Sequence, residues 1–214
     1  MRRRLPGPAV RAALCVLLLP ALAGCADKAV GGTRAERRYY VATDLRRFVL
    51  TVDERPPETE LRDDLSGRLN LEAFWPTSCC LGIQEEFDQA GFQIAHSAVF
   101  ERPGHSEDPI DTRPGWEVLV SSAVLFLSED GADRAMETWV DHYRAPVLDP
   151  VDVPGLGDRA VGLAGSPTAP AERMYLFVWR RGRLVLSLRA STGAGTVPLE
   201  TVRRLVALMD ARAA

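Results

Sequence analysis

Two apolar runs, Met174 to Arg180 and Arg183 to Ala190, are separated only by Arg181-Gly182. A two-residue break ending in glycine suits a tight hairpin turn. Side chains alternate across a strand, so Leu176 and Val178 share one face, and Leu184, Leu186 and Leu188 share one on the partner. A chain holding this hairpin is committed to antiparallel sheet.

Further strands are predicted upstream. Phe92 to Glu101 places Ile94, His96, Ala98 and Phe100 on one face. Trp116 to Leu127 is a long β-rich run, and its small residues Ser121, Ser122 and Ala123 predict close packing over its middle. Ser128 is placed to cap a helix reaching about Tyr143, with Glu129 and Asp130 in the first turn suiting the helix dipole. Ala132, Ala135, Met136, Trp139, Val140 and Tyr143 recur there at helical spacing. Pro198 to Arg212 reads as a second helix, with Leu199, Val202, Leu205, Val206 and Met209 as its buried stripe. Gly82 to Gly91 reads as a third, with Ile83 and Phe87 inward.

The remaining segments are less regular. Asp44 to Leu50 reads as a short helix, or with Val49 to Asp53 as strand. Glu54 to Gly67 is loop by composition, Leu69 to Trp75 is an apolar-aromatic patch expected to pack on the domain, and Ala145 to Gly155 is a proline-rich link. Together these give an α+β class: one domain over residues 39–214, an antiparallel β-sheet packed on one face by α-helices.

The N-terminus states an address. Arg2, Arg3, Arg4 and Arg11 precede an apolar run from Ala12 to Ala21, and no acidic residue occurs before Asp27. That is the build of a secretory signal peptide, too short for a spanning helix of about 20 apolar residues. The ending Leu22-Ala23-Gly24-Cys25 resembles the lipobox of bacterial lipoprotein precursors. The resemblance implies removal of residues 1–24, acylation of Cys25 and a tether over residues 25–38. Two acyl chains anchor stably where one is marginal. Loss of the four arginines would take the net charge from −3 to −7. An acidic body is a poor nucleic-acid binder, so none is expected. Lys28 and Asn70 are the sole lysine and asparagine, a bias typical of high-GC, actinobacterial-type genomes.

Candidate site residues are few. Cys79-Cys80 is an unusual dipeptide. With Cys15 removed and Cys25 acylated it has no other cysteine to pair with, and it reads as free thiols, a vicinal disulfide able to act as a redox switch, or an intermolecular bridge. Adjacent Cα atoms about 3.8 Å apart are closer than most disulfides allow, which favours the thiols. Arg180, Arg181 and Arg183 crowd the hairpin tip, where they could meet an anion or be a solvated turn. Gly157-Asp158 could present a carboxylate to a ligand but reads better as a turn. His105, Glu107 and Asp108 share a loop without the four ligands at motif spacing that structural zinc uses. No metal and no cofactor are expected. No Gly-x-Ser-x-Gly, His-Glu-x-x-His, Walker loop or Ser-x-x-Lys is present, and catalytic residues are predicted as none.

Glu86 to Phe100, Val124-Leu125-Phe126 with the following helix, Leu156 to Ala160 and Trp179 to Val185, together with the lipobox, resemble uncharacterised actinobacterial lipoproteins. More loosely, they resemble the extracellular sensor domains of actinobacterial receptor kinases. The resemblance implies a non-catalytic domain on the extracytoplasmic face of the cell membrane, held by Cys25 and binding an unidentified envelope ligand or protein. The alternatives are an envelope hydrolase with a dispersed site around His96 or His142, and a structural assembly factor.

Overall fold

The structure, a computed structural model, describes residues 40–105, 114–144, 148–166, 173–193 and 197–214, and at Thr77 and Cys79 the backbone alone. The signal peptide, the tether and the lipobox Leu22–Cys25 lie outside the described residues.

Among the described residues, twelve elements follow one another: β1 (Glu60–Leu61), β2 (Gly67–Leu69), α1 (Leu71–Phe74), α2 (Thr77–Gln89), β3 (Phe92–Glu101), β4 (Gly115–Phe126), α3 (Glu129–Tyr143), β5 (Leu148–Val151), β6 (Arg159–Gly165), β7 (Arg173–Arg181), β8 (Leu184–Gly193) and α4 (Leu199–Ala213). The strands form one antiparallel sheet in the order β1-β3-β4-β8-β7-β6-β5, with β2 also paired to β3. The α+β class and the antiparallel sheet read from the sequence are those observed.

The hairpin of β7 and β8 lies inside the sheet. Arg181 pairs with Leu184, so the loop residues are Gly182-Arg183, one position later than the spacing suggests. Gly182 takes φ +55°, a left-handed conformation that places glycine first in the turn.

The helices divide between two faces, where the sequence predicted cover on one. Alternation explains this: both sets of side chains on β7 are apolar. Tyr175, Phe177 and Trp179, with Leu184, Leu186 and Leu188 of β8, meet Val202, Val206 and Met209 of α4. Leu176 and Val178, with Val185, meet Ala132, Ala135, Met136, Trp139 and Val140 of α3 and Phe87 of α2. Each face therefore needs its own helix to remove it from water.

Other differences are local. Of the two readings of residues 44–53 the short helix holds: Leu45–Phe48 is a 3-10 helix with Asp44 at its N-cap position, and Val52–Glu54 is a 3-10 turn where strand was the alternative. Leu45, Phe48, Val49 and Leu50 are buried on the α4 face. The Leu50 amide donates to Ser121 Oγ at 3.1 Å, which is the close packing that the small residues of β4 foretold. The expected loop of residues 54–67 contains β1, and the proline-rich link contains β5, an edge strand that tolerates Pro150. The helix expected from Gly82 begins at Thr77 and is kinked at Cys80, where φ and ψ are −139° and 31°.

Candidate functional site

On the α3 face, strands β3, β4 and β8 stack their side chains in cross-strand rows. The row Ala95, Val124, Val185 is apolar and covered by helix. The next is Ser97, Ser122, Ser187; then come Val99, Val120, Arg189, and then Glu101, Val118, Ser191. Helical cover stops short of these rows, and a cleft of about 520 Å³ opens over them. Its walls are Leu69, Phe74 and Trp75 on one side, Trp139 and Tyr143 of α3, Arg62 and Leu65 of the β1–β2 turn, and His105.

The serines of its floor are embedded rather than splayed into water. Ser97, Ser122 and Ser187 are 3, 1 and 2% exposed. Ser97 and Ser122 share a hydrogen bond of 2.8 Å. Arg62 pairs with Glu101 and, at 2.9 Å, with Asp64. Its hydrogen bonds to Asp64 and Glu101 raise the guanidinium's pKa above its ordinary value. Arg189 donates to Tyr143 Oη at 3.2 Å and lies over that ring at 5.7 Å. Trp75 Nε1 and His105 Nδ1 are buried without a hydrogen-bond partner among the described residues. A concave, largely apolar pocket with a few converging polar groups is the usual build of a small-molecule site.

The residues singled out from sequence lie elsewhere. Arg180 is held by Asp133 at 2.8 Å, with Asp158 and Glu129 at 3.7 and 3.8 Å. Arg181 binds Asp210 through both ends of its fork, at 2.7 and 2.6 Å. Arg183 donates to the carbonyls of Phe126, Leu127 and Tyr40. The tip arginines are thus engaged by the protein's own acceptors, which compete with any external anion. Asp158 accepts the Gly182 amide at 2.7 Å, making it part of the turn contacts. Cys80 is disulfide-bonded, contrary to the free-thiol preference at that residue, and the side chain of Cys79 lies outside the described residues. So do Glu107 and Asp108.

A second hollow of about 340 Å³ on the α4 face gathers His96, Asp63, Ser66 and Arg46. Burial, then the Arg46 charge, lowers the His96 pKa. Ser66 Oγ accepts the Val99 amide at 3.0 Å, and among the described residues no hydrogen bond joins His96 to Asp63 or Ser66. The nucleophile–base–orienter chain of a hydrolase is not assembled there. His142 packs edge-on against Trp75 at 5.4 Å and lies in a groove with Glu86, Thr138 and Asp141.

The sequence reading missed Ser187 and Arg189. Their signal was present in β8, where Val185, Ser187, Arg189 and Ser191 turn polar along one face while Leu184 to Ala190 stay apolar on the other.

No family model and no curated protein sequence matches the chain. Among solved structures it is similar to the extracellular domain of PknH from Mycobacterium tuberculosis. Sequence identity is 11%, coverage is 82% of this chain and 97% of that one, and the TM-score is 0.51. The likeness establishes the α+β fold. No helix among the described residues is long and apolar enough to cross a membrane.

Proposed function

We propose that the chain is a non-catalytic, sensor-like binding domain of the cell envelope, lipid-anchored through Cys25 on the extracytoplasmic face, which takes a small ligand into the α3-face cleft. One observation carries the binding role. Three adjacent strands replace apolar side chains with buried polar ones at the point where the helices cease to cover them. Buried polar groups without full partners cost stability, and a binding role accounts for keeping them. The fold shared with the extracellular domain of PknH supports an extracytoplasmic, sensor-like reading, and the lipobox resemblance supports the anchor.

The test is a thermal-shift screen of the full chain against envelope lipids, glycans and peptides. A stabiliser is expected, and substituting Ser187→Val or Val120→Trp in the cleft floor should abolish its effect. Blanks throughout the screen, or a stabiliser indifferent to both substitutions, would refute the cleft as the site.

A further inference from the structure

We infer that the cleft selects small amphiphiles bearing a single anionic group, carboxylate or phosphate, with Arg189 and Ser187 holding the anion and the valines of the floor receiving the apolar body. This rests on the cleft being the binding site.

Arg189 stands on an interior strand, paired across the ladder with Val120 on one side and Leu176 on the other. It is half-buried, and among the described residues no carboxylate pairs with it. Its neighbour is the neutral Tyr143 hydroxyl. Arg181, Arg180 and Arg212, also partly buried, are met by Asp210, Asp133 and Glu54, and Arg183 is met by three backbone carbonyls. Among the described residues, then, Arg189 is a cation in the cleft with no carboxylate partner. Such a site favours a ligand that brings the negative charge itself.

Ser187 supplies an independent indication. It is 2% exposed and lines the cleft, and among the described residues its hydroxyl makes no side-chain hydrogen bond. Ser187 and Arg189 share a strand face about 7 Å apart at Cα, a gap that the flexible arginine stem can close on a shared anion. Glu101 opposes this weakly. Its Cα lies two strands and two residues from that of Arg189, about 12 Å away. Its carboxylate is paired with Arg62, which also binds Asp64.

The apolar part of the ligand has its own surface. Val99, Val118 and Val120 form the floor and Leu65, Leu69 and Phe74 the walls. The combination fits an acyl or aryl body ending in one anion better than a sugar or a cation.

Trp75 and Trp139 line the cleft, whereas Trp116 and Trp179 lie in the core of the opposite face. Intrinsic tryptophan fluorescence of the full chain therefore reports on occupancy. The probes are decanoate, decyl phosphate, decanol and decyltrimethylammonium, each below its micellar concentration. Both anions are expected to bind about tenfold more tightly than decanol, with the cation weakest; the tighter anion identifies the preferred head group. Arg189→Gln should lower anion affinity about tenfold and leave decanol unchanged, while Arg189→Lys retains part of it. If Arg189→Gln fails to fold, the ranking of the four probes on the parent chain still decides. Equal binding of decanol and the anions overturns the anion selection and leaves the cleft reading standing. Silence from all four overturns the selection too, and the cleft reading falls with it when the broad thermal-shift screen is also blank.

Discussion

Arg181 and Asp210 tie the sheet to α4 through a two-pronged ion pair. Both side chains are largely out of water, at 19 and 12% exposure. Breaking such a pair strands a charge, which costs more than the intact pair contributes. Asp210→Ala should therefore destabilise by about 2–3 kcal/mol, and Arg181→Met with Asp210→Leu should recover most of that; urea unfolding of the single and double variants measures both. His96 supplies a pH effect. Burial and Arg46 lower its pKa below the ordinary 6.5, so the unfolded chain takes up the proton first. Stability is complete above about pH 6.5 and falls as pH drops toward the folded value. Asp63 shares the hollow and Arg68 faces His96 across the ladder. His96→Gln should flatten the stability profile below about pH 6.5; an unchanged slope in urea midpoints would refute the assignment. Glu54, whose charge is opposed by burial but favoured more strongly by Thr51 and Arg212, has a lowered pKa and adds its acid loss at lower pH.

Among the elements, α2 and α3 meet at a point that local propensity misjudges. Gly131 sits in the first turn of α3, where Ala is ordinarily better by about 1 kcal/mol. A Cβ at this position would overlap the Ala90 carbonyl oxygen at the end of α2. Gly131→Ala should therefore lower stability by about 2 kcal/mol, opposite in sign to the propensity gain; thermal or urea unfolding decides the sign. The elements legible from sequence share a cause. α3 and α4 carry unbroken helical stripes, and β3, β4, β7 and β8 are apolar-rich runs of nine residues or more. β1, β5 and the 3-10 turn Val52–Glu54 were not legible. They are two to four residues long, shorter than the periods that pattern recognition needs, and exist because longer neighbours hold them.

At the scale of the whole molecule, the anchor and the cleft make separate demands. The Leu22–Cys25 reading predicts that the processed chain partitions with membranes and carries acyl groups on Cys25. Cys25→Ser should leave it unacylated and shift it from the membrane fraction, as mass spectrometry and fractionation would show. Acylation unaffected by that substitution would end the lipobox reading. In-cell crosslinking of the parent chain and the Cys25→Ser variant, compared side by side, would show whether any partner requires the anchor. Among the described residues, those lining the cleft lie between Arg62 and Arg189, so substitutions there and at Cys25 test the two readings separately.

Residue order alone determined the hairpin, the two long amphipathic helices, the α+β class and the expected address, because each follows from spacing along a single segment. Tertiary structure alone decided where the helical cover ends and which polar residues meet beneath the gap. Ser97, Ser122 and Ser187 come from three strands, and Arg189 lies beside Val120 through the pairing of β4 with β8. A period of two tells which face a side chain occupies, but not the register that brings rows from different strands together.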